Sequence, residues 1–121
     1  MSTEDLTAIA ATIDDYFYGM YRSDASLIER AFTEDAAIEG HTEGRYMRMS
    51  RSDFAGFVGN QDSAEAAGES FDMRIVSIDL TVDAAVVKVA DRYIGRDFVD
   101  YLSLLKVDDG WRIVHKSWHS A

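Results

Sequence analysis

Residues 99–118 read VDYLSLLKV-DDG-WRIVHKSW, two apolar runs set around Asp108, Asp109 and Gly110. Runs rich in Val, Leu, Ile, Tyr and Trp and bounded by polar turn residues form strands, and so short a connection makes them an antiparallel hairpin. Taken as a three-residue loop, the connection is a type I turn closed by Gly110 in the left-handed conformation, which sets Val107 opposite Trp111. Side chains alternate along a strand, so this register decides which residues share a face. One face then carries Asp100, Leu102 and Leu104 with Val114, Lys116 and Trp118. The other carries Tyr101, Ser103, Leu105 and Val107 with Trp111, Ile113, His115 and Ser117. Both faces are largely apolar, so both should be covered.

Working back from the hairpin, residues 84–94 and 71–82 also alternate, with a bulge expected where Ile75 and Val76 stand side by side. Together the strands make a four-stranded antiparallel meander. A connection of about three residues at 95–97 puts Arg92 opposite Asp100. Residues 59–70, rich in Gly, Ala, Ser and Glu, read as a mobile loop or a frayed helix end.

Nearer the N-terminus the period becomes helical. Leu6, Ile9, Ile13, Phe17 and Met20 form one apolar stripe with Tyr16 on its edge, and Ser2 or Thr3 caps the helix ahead of Glu4 and Asp5. After a break near Arg22 and Ser23, Asp24 or Ser26 caps a second helix that buries Leu27, Ile28, Ala31 and Phe32. Residues 36–39 and 46–49 read as short strands around a loop at 40–44. Ser50 or Ser52 caps a third helix, with Phe54, Phe57 and Val58 pointing inward. Three helices followed by a sheet is an α+β arrangement within one domain, residues 1–121.

The totals narrow the function classes. The 121 residues are 47% hydrophobic and 28% charged, a composition that supports a packed core. With no cysteine, disulfides, thiolate metal sites and cysteine nucleophiles are excluded. The formal charge of −10, from 22 acidic and 12 basic residues, argues against nucleic acid and anionic lipid as partners. No basic segment precedes an apolar stretch at the N-terminus, and no apolar run approaches the ~18 residues of a membrane span. A cytoplasmic protein is the expectation.

The order of elements resembles the NTF2-like, or SnoaL-like, superfamily, and within it the putative lumazine-binding branch. The resemblance is carried by residues 13–20 (IDDYFYGM), 27–37 (LIERAFTEDAA), 44–54 (GRYMRMSRSDF), 100–106 (DYLSLLK) and 110–116 (GWRIVHK). It implies a curved sheet wrapped around the long first helix into a cone with an open mouth. It also implies that the face opposite the Trp-x-Ile pattern looks into the cone, which places Asp100, Leu102, Lys116 and Trp118 inside. Tyr101, Leu105, Trp111, Ile113 and His115 then form an outer face too apolar for water, so a homodimer through it is expected. The superfamily hosts isomerases, dehydratases, cyclases, epoxide hydrolases and plain binding or assembly domains, so the fold leaves the function open.

The candidate ligand-binding residues are Tyr16, Arg92, Asp100, Leu102, Lys116 and Trp118, with Asp100 the candidate catalytic group. Lys116 and Arg92 beside Asp100 would orient an anionic or carbonyl-bearing ligand, and Asp100 could act as a base if its pKa were raised. Two neighbouring cations work against that rise. The alternative is an internal salt bridge that only holds the register. Tyr16 either points its hydroxyl into the mouth or is buried on a backbone partner, and Trp118 is either an aromatic wall or core. His115, opposite Ser103, reads as an interface residue; were the faces reversed, it would join Asp91 or Tyr93 as the acid–base set. His115 and His119 stand too far apart on a strand to share a metal, so no metal and no cofactor are expected. His41, in a glycine-flanked loop, reads as solvated. Gly40, Gly44, Gly56 and Gly59 make no phosphate loop, and no serine carries a nucleophile signature. Small-molecule binding is the leading expectation. A cofactor-independent isomerase or dehydratase, and a non-catalytic dimerisation module, are the alternatives.

Overall fold

The computed structural model describes residues 3–121. Helix α1 (Thr3–Arg22) is followed by α2 (Ala25–Ala31), strands β1 (Phe32–Thr42) and β2 (Arg45–Met49), and α3 (Arg51–Gly59). Strands β3 (Met73–Thr81), β4 (Ala84–Tyr93), β5 (Arg96–Val107) and β6 (Gly110–Ser120) complete the chain. The six strands form one curved, open sheet in the order β2-β1-β6-β5-β4-β3. Only the β1–β6 pair is parallel. The three helices cover its concave face, an α+β cone.

Local chemistry sets the helix starts. The Asp24 carboxylate accepts from the Ser26 and Leu27 amides at the head of α2. Ser50 and Asp53 form a reciprocal capping box on α3. Thr3 lies inside α1, and the alternative cap, Ser2, lies outside the described residues. The apolar stripe of α1 buries Ile9, Ile13, Phe17 and Met20 as expected. The Thr12 hydroxyl donates to the Trp111 carbonyl at 2.7 Å, tying α1 to β6. Phe57 departs from expectation: it is 42% exposed at the rim of the cone while Phe54 and Val58 take the inner positions. The short strand expected at 36–39 extends over the whole of β1. Its pairing with β6, at Phe32 and from Ala37 to Thr42 across an irregularity between them, supplies backbone partners.

The β3 bulge falls where Ile75 and Val76 adjoin, with Val76 left out of the ladder. The β5–β6 and β4–β5 turns differ from the sequence reading. Asp108 and Asp109 both adopt positive φ, 50° and 64°, so Val107 pairs with Gly110 rather than Trp111. Positive φ at both central positions is the type I′ geometry, whose twist matches the flanking strands and which aspartate tolerates. The one-residue offset is absorbed at a bulge in β6, between Ser103↔His115 and Leu104↔Ile113. Beyond the bulge, Leu102 faces Lys116 and Asp100 faces Trp118, as expected. Before it, Trp111 and Ile113 turn inward and are buried against α1, so neither belongs to an outer interface. The β4–β5 turn is likewise tight, with Ile94 and Gly95 at φ 48° and 75°. Arg92 therefore faces Asp97, and Val89 faces Asp100.

Candidate functional site

The concave face of β4–β6 ends in a cluster of ionisable side chains at the wide end of the cone. Asp91 and Tyr93 come from β4, Asp100 from β5, Lys116 from β6 and Tyr16 from the middle of α1. All five are buried. The alternation of β4 sends Ala85, Val87, Val89, Asp91 and Tyr93 inward, with Lys88 and Arg92 on the opposite side. Asp91 is thus an acid on an otherwise apolar inner stripe.

The cluster has a specific hydrogen-bond pattern. The Tyr16 hydroxyl donates to Asp100 Oδ2 at 2.7 Å. Asp100 Oδ1, Asp91 Oδ2 and the Tyr93 hydroxyl oxygen are buried without a hydrogen-bond partner. Lys116 Nζ sits over aromatic rings, 4.1 Å from the centroid of Phe54, 5.0 Å from Tyr16 and 5.4 Å from Trp118. Among the described residues it makes no hydrogen bond and no ion pair. Asp100 is thus held by tyrosine, and the expected Lys116–Asp100 contact pair is not formed.

Burial drives the proton affinities of the cluster. It pushes the Asp91 carboxyl up to about 9, helped by the negative charge of Asp100 nearby. At neutral pH Asp91 is therefore a carboxylic acid, able to donate. Burial pushes the Lys116 ammonium below the ordinary lysine range, and the charges of Asp100 and Asp91 only partly offset this. Tyr16 is raised well above the usual phenol value by burial and then by Asp100. Tyr93 is raised by burial and then by Asp91.

A pocket of about 240 Å³ opens onto this cluster. Asp91, Tyr93 and Lys116 line it together with Trp118, Phe54 and the methionines Met20, Met47 and Met49. Thr42 and Arg96 also reach it, but the threonine Oγ1 already accepts from Trp118 Nε1 at 3.0 Å and the arginine pairs with Glu43 at 2.8 Å. Asp91, Tyr93 and Lys116 are the pocket's polar side chains that make no hydrogen bond or ion pair among the described residues, while Thr42 keeps its own hydroxyl proton to donate. Trp118 is positioned by Gly40, opposite it on β1, where any Cβ would overlap the indole and the Trp118 carbonyl.

Of the residues expected at the site, Lys116 and Trp118 line the pocket. Asp100 and Tyr16 lie behind it as a hydrogen-bonded pair, with the Tyr16 hydroxyl turned to Asp100 rather than to the mouth. Leu102 is fully buried beneath them. Arg92 is not brought to the cluster: it binds Asp97 at 3.0 Å and the Gly95 carbonyl at 3.1 Å, on the rim of a separate crevice. Asp91 entered the sequence reading only as an alternative. A two-residue reading of the Ile94–Gly95 turn, with Lys88 and Arg92 outward, would have brought it forward. His115 is on the outer face opposite Ser103 as expected, 3.1 Å from Glu39 Oε2. Tyr46 donates to the other Glu39 oxygen at 2.8 Å. That bond, followed by the one from His115, holds the Glu39 carboxyl below its usual range. Among the described residues no three His, Asp or Glu side chains gather in a metal-binding arrangement. Nor is any described helix long and apolar enough to cross a membrane.

Known proteins resemble this chain over its whole length. A crystallised NTF2-like protein of unknown function from Silicibacter pomeroyi is 30% identical with a TM-score of 0.89, covering 100% of both chains. A ketosteroid isomerase-like protein from Erwinia carotovora atroseptica shares the fold at 20% identity and a TM-score of 0.68, covering 98% of each chain. Aldolase FrzH from a Cladobotryum species is 25% identical over 99% of this chain and 94% of its own. The family described as putative lumazine-binding matches residues 4–119. With the cone fold and this span of similarity, the chain belongs to the NTF2-like superfamily and, within it, to the putative lumazine-binding family.

Proposed function

We propose that this chain is one small-molecule-binding domain whose cone takes a compact, largely apolar compound bearing a carbonyl group, and that the cluster moves protons on it. The observation that carries the reading is the unpartnered, buried Asp91 Oδ2 beside the Tyr93 hydroxyl in an apolar pocket. Buried polar atoms without partners cost stability, and a ligand oxygen would relieve that cost. The protonated Asp91 donates to the carbonyl oxygen. The Lys116 amine takes the proton that leaves the neighbouring carbon, and the charge of Asp100, held in place by Tyr16, keeps the proton on Asp91 until the ligand oxygen takes it. Lys116 and Trp118 contact the ligand; Tyr16, Asp100 and Leu102 hold the floor; Arg92 acts outside it. The family description and the aldolase name of one relative accord with a carbonyl-bearing ligand. No resident cofactor is needed for this chemistry.

The test is binding and exchange. Lumazine, acetophenone and cyclohexanone are offered to the protein, with binding read by thermal shift and α-proton exchange read by NMR in deuterated water. Saturable binding with exchange faster than buffer supports the reading. Binding without exchange reduces it to a carrier, and no binding by any of the three overturns it.

A second reading rests on the outer face. Tyr101 is 49% exposed, and Val86, Leu105 and Val76 are also exposed on β3–β5. We infer a cytoplasmic homodimer through Tyr101, Leu105 and His115, without Trp111 and Ile113. Sedimentation of the unsubstituted protein and of Tyr101→Glu checks it: a dimer turned monomer supports the interface, and a monomer in both removes it.

A further inference from the structure

Lys116 has a place that neither a structural cation nor a solvated one occupies. It is 6% exposed, lines the pocket, and has no carboxylate or carbonyl partner among the described residues. Its neighbours are three aromatic rings. The two other lysines of the chain are differently placed. Lys106 pairs with Asp5 at 3.2 Å, and Lys88 lies on the outer side of β4, over the Tyr101 ring at 5.6 Å. Ring faces stabilise an ammonium only modestly, whereas the loss of water acts against it in full. A lysine amine kept in an apolar pocket beside a carboxylic acid has the surroundings of an amine nucleophile.

We propose that Lys116 is a covalent catalyst, whose amine adds to an aldehyde or ketone carbonyl held in the pocket and forms an imine. The proposal rests on the carbonyl-ligand reading given above and deepens it. The Nζ lone pair forms the C–N bond while the carbonyl π pair moves to oxygen, which takes the Asp91 proton. Nζ then loses a proton to the Asp91 carboxylate, restoring the acid. That acid protonates the carbinolamine hydroxyl, which departs as water as the C=N bond closes. Amine and carbonyl give imine and water, with Asp91 carrying the proton and no oxidant or reductant consumed. Water loss leaves the imine protonated, and it draws electrons from the adjacent carbon. The Asp91 carboxylate left by that step takes the proton lost there, giving an enamine, the carbon nucleophile of an aldol-type bond formation.

The arrangement of the lysines makes the test internal. The unsubstituted protein is incubated near neutral pH with limiting benzaldehyde and sodium cyanoborohydride, and the benzylated positions are mapped by peptide mass spectrometry over time. Lys116 is expected to label faster than Lys88 and Lys106, since burial lowers its amine's proton affinity and so raises its neutral fraction. Saturating acetophenone should slow Lys116 alone. The Lys116 rate should rise with pH and then fall as Asp91 loses its proton near 9. Labelling of Lys116 no faster than of the other two, with acetophenone still bound, overturns the covalent role and leaves the pocket reading standing. If acetophenone does not bind and Lys116 stays unlabelled, both fail. Because the map is read on the unsubstituted chain, no outcome depends on whether a variant folds.

Discussion

Asp91 and Arg92 are neighbours in the chain and opposites in the structure. Asp91 turns into the cone, where it meets Asp100, Lys116 and Tyr93 with an unpartnered oxygen. Arg92 turns out and pairs with Asp97 and the Gly95 carbonyl beside solvent. The outer pair is partnered but screened, so it contributes little to folding. The inner cluster is incompletely partnered and desolvated, so its proton affinities move far and its atoms remain available for a ligand. The contrast teaches that the poised charges are the inner, incompletely satisfied ones, and that the visible ion pairs on the rim are not.

The sharpest way to break that contrast is to remove the inner acid. In the fold Asp91 keeps its proton up to about 9, whereas in the unfolded chain it releases it near the ordinary 3.8. Between those values the unfolded chain binds fewer protons, so this group makes stability fall as pH rises, by on the order of 1 kcal/mol per pH unit. Lys116, whose proton leaves earlier in the fold than the ordinary 10.5, acts in the opposite sense toward the alkaline end. Asp91→Asn should therefore gain on the unsubstituted protein by several kcal/mol between about pH 5 and pH 8. Urea unfolding across that range reads the difference, and parallel curves for the two proteins would refute a protonated Asp91.

Tyr16→Phe comes next. It removes the donor to Asp100 and leaves another buried oxygen unpartnered, so a loss of about 1–3 kcal/mol is expected in the same unfolding experiment. A loss below a few tenths would mean that water replaces the hydroxyl. Lys116→Met keeps the length of the side chain and the apolar contacts, so the fold should persist while binding of a carbonyl ligand drops tenfold or more, about 1.4 kcal/mol. Unchanged affinity by titration would remove Lys116 from the site. Arg92→Ala is expected to be the smallest, within about 0.5 kcal/mol of the unsubstituted stability and without effect on ligand affinity. A larger loss would show that the rim pair matters as much as the inner cluster.

Much of the architecture was legible because its causes are local. Helix caps at Asp24 and Ser50, the stripe on α1 and the bulge at Val76 all follow from residues within a few positions of one another. The site was legible only in part. Asp100, Lys116 and Trp118 were placed on one face because two one-residue differences, a tighter turn and a bulge in β6, cancel before reaching them, and only the resemblance named that face as the inner one. No such cancellation occurs at the β4–β5 turn, so Arg92 was expected where Val89 stands, and Asp91 entered only in the alternative with the faces reversed.

Apolar periodicity and capping chemistry, acting over one turn of helix or one pair of strand residues, sufficed to determine the order and type of the elements, and the resemblance of that order to the NTF2-like superfamily implied the cone. Three things were decided only by the tertiary structure: the phase of β4, the burial of Trp111 and Ile113 against α1, and the pairing of Tyr16 with Asp100 across 84 positions of chain. Turn geometry answers to the twist of the assembled sheet. A side chain's proton affinity answers to the water and charge around it, and in this cluster those surroundings come from α1, β4, β5 and β6 together.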